Sequence, residues 1–167
     1  MAARNRYLRG NKMEIIVPVR GKTTIEAGDF CYSNKDDSFY TYPFSDEDNA
    51  GATVQLNLYD YFAGIAMESS PAGTTENITV AQAGVFRYPL LIASAVTVGF
   101  TVSACSAPAG SGTTNQKVVN TDDGGAAAGI YGTTCYLGVI VRTNTSATSF
   151  VDFQLRTAAG LSAVTTV

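Results

Sequence analysis

Histidine is absent from all 167 residues, and so is tryptophan. Without histidine the chain has neither the commonest general base nor the commonest metal ligand, and every His-dependent triad or dyad is excluded. Without tryptophan, a sugar-stacking platform or aromatic cage loses its usual material. No Gly-rich loop followed by Lys-Ser/Thr is present, and no dinucleotide fingerprint lies between a strand and a helix. The carboxylate clusters Asp36-Asp37, Asp46-Glu47-Asp48 and Asp122-Asp123 sit beside Ser, Asn or Gly and read as solvated turns. Asp122-Asp123-Gly124 lacks the ligand spacing of a calcium loop. The expectation is a non-enzymatic protein with no catalytic residue, no metal and no cofactor.

Charge is also scarce. Only 15% of residues are charged, against about 25% in an average soluble protein. The surface must therefore consist largely of Thr, Ser, Gly, Ala and backbone, which suits turn-rich β-structure or a surface partly covered in an assembly. No apolar run approaches the roughly 20 residues of a membrane span; residues 88–102 are interrupted by Pro89, Ser94, Thr97, Gly99 and Thr101. No apolar stretch follows the basic N-terminus to make a secretory signal, so no membrane association is expected and synthesis is assigned to the cytosol. Cys31, Cys105 and Cys135 are odd in number, have no metal-like spacing, and read as buried free thiols. The sequons at Asn77 and Asn144 mean nothing without a secretory route.

What is present is period-two alternation. Val96, Val98, Phe100 and Val102 alternate with Thr97, Gly99, Thr101 and Ser103. Val151, Phe153 and Leu155 alternate with Asp152, Gln154 and Arg156. Leu137, Val139 and Val141 form a third inward set, and Ile15, Val17 and Val19 a fourth. Pro18 cannot donate to a ladder and belongs on an edge or in an arm. Residues 53–67 fit both a strand and a short helix, since Val54, Leu58, Tyr61, Phe62 and Ile65 also form a helical stripe. The fold class expected is all-β: a compact antiparallel β-barrel or sandwich.

The alternation recurs as a pattern. Residues 24–32 resemble residues 95–103, and Phe62-Ala63-Gly64-Ile65-Ala66-Met67 resembles Tyr136-Leu137-Gly138-Val139-Ile140-Val141. A further strand follows each, residues 77–81 in one half and 150–154 in the other. This predicts two similar β-units, about 24–86 and 95–156, sharing one core within a single domain over 23–167. Neither unit alone would bury much apolar surface. Gly64 and Gly138 mark places where a strand coils or another backbone comes close.

Two variable stretches separate these elements. Residues 107–132 read as an exposed Gly-rich loop. Residues 33–52 are acidic and aromatic, and Phe39, Tyr40, Tyr42 and Phe44 either pack on their own domain or contact a neighbouring subunit. Residues 1–22 form an extended basic arm, with Arg4, Arg6, Arg9, Lys12, Arg20 and Lys22 opposed only by Glu14; the remainder has five basic residues against 13 acidic. A basic arm on an acidic body suits docking to an acidic surface or contact between copies. Nucleic acid is not the expected partner, since phosphate would repel the body and the arm's few charges bind only weakly. Tyr7, among the arginines, suits a groove with apolar character, and the arm residues Arg4, Arg6, Tyr7, Arg9, Lys12 and Arg20 are the candidate partner-binding set.

Thr24-Ile25-Glu26-Ala27-Gly28-Asp29, Ala63-Gly64-Ile65-Ala66-Met67-Glu68, Ile78-Thr79-Val80-Ala81-Gln82-Ala83-Gly84-Val85-Phe86, Ala95-Val96-Thr97-Val98-Gly99 and Leu137-Gly138-Val139-Ile140-Val141 occur in that order. In this order, over residues 22–156, the chain resembles the decoration (cement) proteins of tailed-phage capsids; it departs from them in the long inserts at 33–52 and 107–132. The resemblance implies a structural virion protein on the outer capsid surface, assembled in the host cytoplasm. It implies a homo-oligomer, a trimer foremost, that clamps neighbouring major capsid protein subunits. The alternative is a receptor- or glycan-binding β-module of a phage fibre or spike, for which loop tyrosines such as Tyr40 and Tyr42 speak and the missing tryptophan does not.

Overall fold

The computed structural model describes residues 6–21, 23–34, 37–44, 58, 61–72, 76–104, 118–120 and 136–155, and for Arg6, Tyr7, Gly10, Asn11, Lys12, Leu91, Ile92 and Val119 the backbone alone. Nine strands follow in order: β1 (Arg6–Pro18), β2 (Phe30–Asn34), β3 (Tyr40–Pro43), β4 (Phe62–Ala66), β5 (Asn77–Val96), β6 (Thr101–Ala104), β7 (Val118–Asn120), β8 (Gly138–Ile140) and β9 (Asn144–Leu155). They form one nearly all-antiparallel sheet, as the alternation requires. Of the ambiguous residues 53–67, 62–66 are strand and Leu58 is buried in helical backbone; residues 53–57 lie outside the described set.

The 20-residue β5 is the spine. Its first half pairs with β1 on one edge and with β4 on the other. At residues 85–87 it pairs with β1 and β9 together, so these two flank it from opposite edges. Its second half continues along β9 and meets β7 in parallel at Leu90–Val118. The ladders nearly return on themselves twice, through β4, β2 and β3 to the parallel bridge Val19–Thr41, and through β9, β8, β6 and β7 to Leu90–Val118. Each return is one residue pair wide, so the sheet folds over as a sandwich-like structure and does not close into a barrel.

The two halves make the same pairings. Cys31 pairs with Gly64 and Val102 with Gly138; Tyr32 pairs with Tyr42 and Ser103 with Val119; Ile15 pairs with Val80 and Phe86 with Phe153. Gly28 and Gly99, 71 positions apart, both have left-handed φ, +96° and +94°. The Gly28 N–H donates to Ala66 O (2.7 Å) and the Gly99 N–H to Ile140 O (3.0 Å). The Ala27 N–H donates to Ser69 Oγ (3.0 Å) and the Val98 N–H to Thr143 Oγ1 (3.1 Å). Ile25 bridges Ser70 as Val96 pairs with Asn144. The correspondence begins earlier than the sequence pattern suggests: residues 13–19, the end of β1 and Val19 beyond it, occupy in the first half the place that residues 84–90 of β5 occupy in the second.

The core follows the same logic. Val17, Val19, Ile25, Cys31, Ala63, Ala66, Ile78 and Val80 form one buried cluster. At the corresponding positions of the second half stand Tyr88, Leu90, Val96, Val102, Leu137, Ile140, Val151 and Phe153, all within the larger cluster. That larger cluster also takes in Phe30, Tyr32, Ile65 and Ala81 from the first half, so apolar packing joins the halves. Phe30 stacks on Tyr88 (centroids 4.3 Å, planes 15° apart), and Tyr88 meets Phe153 tilted at 5.6 Å.

Two patterns need correction. The alternation through residues 96–102 is not one strand: β5 ends at Val96, a turn closed by the Phe100 N–H to Thr97 O (3.3 Å) intervenes, and Val98 and Phe100 are exposed. A tight turn preserves apolar/polar alternation in the sequence while reversing the chain, so periodicity alone cannot distinguish them. Around β8 the fully buried side chain is Ile140, and Val139 and Val141 are only half-buried.

Gly64 and Gly138 are sites of close backbone approach. A Cβ on Gly64 would stand 2.6 Å from Ala81 O, and one on Gly138 would stand 2.3 Å from Gln154 O. Gly64→Ala and Gly138→Ala are each expected to destabilise by at least about 2 kcal/mol in urea unfolding. Gly99→Ala, with open space at the Cβ and only its φ to strain, should cost about 1 kcal/mol. Equal losses at all three positions would contradict the packing.

Candidate interaction surface

The basic residues of the N-terminal segment do not form a free arm over residues 6–18, because that stretch is β1. Arg6, Tyr7 and Arg9 pair through their backbone with Arg87, Phe86 and Val85, and Arg9 is exposed. Lys12 lies in the irregular part of the β1 ladder, and Arg4 falls outside the described residues. Arg20, just beyond β1, has a different use. Its guanidinium bonds Asp37, whose carboxylate also accepts from the Tyr42 hydroxyl. The Tyr42 and Arg20 hydrogen bonds hold the Asp37 carboxyl below its usual range; Tyr42 and Asp37 raise Arg20. This three-way contact ties the end of β1 to the β2–β3 hairpin.

That hairpin separates the four loop aromatics. Phe44 is 5% exposed and belongs to the core, so it has no surface to offer a neighbouring subunit. Tyr42 packs against the core, tilted on Tyr32 at 6.2 Å, and Tyr40 is half-buried. Phe39 is 58% exposed. Ser38 and Phe39 have φ of +53° and +59°, a region a bulky side chain enters only under strain. The turn thereby holds one aromatic ring outward.

A larger exposed apolar feature is β1 itself. Met13, Ile15 and Ile16 are 48%, 37% and 73% exposed. Along residues 13–18 the strand has β5 as its one ladder partner among the described residues. Sequence reasoning singled out the basic residues of this segment and passed over Ile16. The signal was available: the run Ile15-Ile16-Val17 breaks alternation, and apolar side chains on both faces imply cover on both faces.

Several other polar groups among the described residues are paired or buried. Arg87 forms a two-pronged pair with Asp152 (2.6 and 2.8 Å), and Arg142 stands 3.9 Å from the same carboxylate. Cys31 is fully buried; burial and the nearby Asp29 push its thiol well above the ordinary range, leaving no thiolate for nucleophilic work. The Tyr88 hydroxyl, raised likewise by burial, donates to Gly28 O. Asp29 accepts the Glu26 N–H at 2.9 Å, yet burial dominates and lifts its carboxyl to about 6. Among the described residues no group of three or more His, Cys, Asp or Glu could hold a metal. No helix among them is long and apolar enough to cross a membrane.

No protein-family model matches this chain, and no curated protein does. Among solved structures, the chain is similar to the head fiber gp8.5 N base in bacteriophage phi29, at 13% sequence identity and a TM-score of 0.46. The likeness covers 86% of this chain and 94% of that one.

Asp29 sets a pH dependence whose sign is opposite to that of an ion-paired carboxylate. Its carboxyl titrates near 3.9 in an unfolded chain and near 6 in the fold. Between these values the native state binds more protons, so its contribution falls as pH rises from about 4 to about 6. Asp29→Asn should raise stability at pH 7 by about 1–2 kcal/mol, discounted for partial solvent access, and leave it unchanged at pH 3.5. Paired urea titrations check this; equal effects at both pH values would refute it.

Proposed function

We propose that this chain is a structural protein of a tailed-phage virion, bound to the outer surface of the assembled capsid and stabilising it by bridging major capsid protein subunits. The observation that carries this reading is the ordered motif series together with where its members fall. Gly28-Asp29 forms the turn before β2, Gly64 the close contact in β4, residues 78–86 the centre of β5, and Gly138 the close contact in β8. The motifs are thus the frame of the fold, and the paired frame supports reading the chain as one β-unit used twice. Of the inserts, where the chain departs from that family, 33–52 holds β3 and 107–132, expected as an exposed loop, holds β7 with Val118 buried.

The surface chemistry supports a binding role. Cys31 is inert, and Asp152 is held by Arg87. Among the described residues, Arg9 of β1, the exposed Met13, Ile15 and Ile16 and the Phe39 ring all offer means of contact. A weak contact repeated over a shell gains occupancy by avidity without a large interface per copy. The exposed Phe39 also fits the second reading, a receptor-binding module of a fibre or spike.

Sedimentation with undecorated shells separates the two. Co-sedimentation at low and moderate salt is expected, and Arg9→Glu, at an exposed site, should reduce occupancy severalfold and weaken its salt dependence without changing the melting temperature. Protein that stays in the supernatant at both salts but binds host cells would favour the receptor-binding module.

A further inference from the structure

We propose that the paired turns of the second half, residues 97–100 and 141–143, are a docking site for a second copy of this chain, which presents the equivalent turns of its first half, residues 26–29 and 67–69. The two patches are different surfaces, so the contact runs head to tail. It does not depend on the capsid reading.

The two turn pairs share a backbone and differ in chemistry. In each, an N–H of the first turn donates to a hydroxyl of the second, Ala27 to Ser69 and Val98 to Thr143 (3.0 and 3.1 Å). Glu68 precedes Ser69, and in the same place Arg142 precedes Thr143. Glu26, Ala27 and Asp29 of the first half are matched by Thr97, Val98 and Phe100 of the second. Val98 and Phe100 are 51% and 40% exposed, and the Arg142 side chain is 71% exposed. The second-half turns thus offer two apolar side chains beside a guanidinium where the first half offers carboxylates. The Gly99 N–H to Ile140 O (3.0 Å) and the Ile140 N–H to Phe100 O (2.8 Å) hold this surface in place, which limits the ordering cost of docking.

The charge of Arg142 is not spent inside the fold. Asp152 stands 3.9 Å from it, and that carboxylate already takes two bonds from Arg87 at 2.6 and 2.8 Å.

Charge complementarity selects the occupant. Among described side chains, residues 13–81 carry six carboxylates against one guanidinium, Arg20, which is held by Asp37. Arg9 and residues 84–155 carry three guanidiniums against one carboxylate, Asp152. The halves are alike in backbone and opposite in charge, so the complement of one turn pair is the other. Glu26 and Glu68 are exposed, one on each turn, with the small Ala27 beside Glu26 as an apolar spot for Val98. The Thr79 N–H (2.5 Å) and hydroxyl hold the Glu68 carboxyl below its usual range, so it stays ionised. Opposite patches meeting across an interface fix its register and steer encounter, and a contact between unlike patches closes into a ring when the rotation allows.

Sedimentation equilibrium of the full chain is expected to show a reversible oligomer at low salt that dissociates as ionic strength rises. Arg142→Glu, at an exposed position, should be monomeric with an unchanged melting temperature. Glu26→Lys/Glu68→Lys, which sets like charges against Arg142, should be monomeric too. Mixed in equal amounts, the two variants should associate again, because each supplies the charge that the other's patch lacks. If loss of the Thr79 bond lowers the melting temperature of the double variant, Glu26→Lys alone should still weaken association severalfold. A wild type that is monomeric at low salt, an oligomer that survives Arg142→Glu, or a mixture of folded variants that stays monomeric would each overturn the proposal. Shell sedimentation is a separate readout: Arg142→Glu that still binds shells leaves the capsid reading intact while self-association is lost. A monomeric wild type whose shell binding is lost on Arg142→Glu would make the shell the occupant of this site, against the proposal.

Discussion

Every other contact in this molecule is arranged by the continuity of β5. Its residues 77–83 are the last strand of one set of pairings and residues 84–90 the first strand of the next, with no loop between them. A strand cannot bend freely between two ladders, so one uninterrupted backbone fixes the relative orientation of the halves. The changeover falls at Gly84, where the edge partner passes from β4 to β9 and the backbone has φ of +139°. A side chain there would be strained, and glycine lets the strand turn from one sheet face to the other.

From that constraint follows the unequal chemistry of the halves. Stacked on one continuous strand, they cannot both face the same surroundings. The face of the first half carrying Phe30, Tyr32, Ile65 and Ala81 is pressed into the shared core. The corresponding positions of the second half hold Thr101, Ser103, Val139 and Gln154, and Gln154 is exposed. An apolar face in the middle and a polar face at the end is what a stack of similar units requires, because an apolar terminal face would recruit further copies without limit. The same asymmetry leaves the first strand, β1, without an edge partner among the described residues where its counterpart has one.

The functional reading rests on this architecture and not on a reactive centre. Of the titratable groups inside the fold, Asp152 is paired with Arg87, Cys31 and Tyr88 are kept uncharged by burial, and Asp29 accepts the Glu26 N–H. Groups left to act on a partner are those that hold surfaces together: guanidinium, aliphatic edge and phenyl ring. Arg20, like Arg87, is not free for such contact, because its charge is spent on Asp37 and Tyr42 in holding β1 against the neighbouring hairpin.

Much of the frame was legible in the residues. The period-two pattern identified the strands around Val17, Val80, Val102 and Phe153, and the missing histidine removed whole classes of chemistry. The resemblance between residues 24–32 and 95–103 aligned Cys31 with Val102, and the register that pairs them with Gly64 and Gly138 came from the structure. The correspondence of residues 13–19 with 84–90 was hidden, since only Pro18 and Pro89 are identical there and burial differs between the two environments. Val98 and Phe100 misled because a turn of this length keeps the parity of a strand. Sequence by itself determined the strand character, the two points of glycine approach and the absence of any histidine-dependent chemistry, all of which follow from local sterics and side-chain chemistry. Tertiary structure alone decided that the basic segment is a paired strand, that Phe44 is core while Phe39 faces out, and that Asp29 is lifted to about 6. Exposure, edge pairing and local dielectric are properties of what surrounds a residue, and no local pattern encodes them.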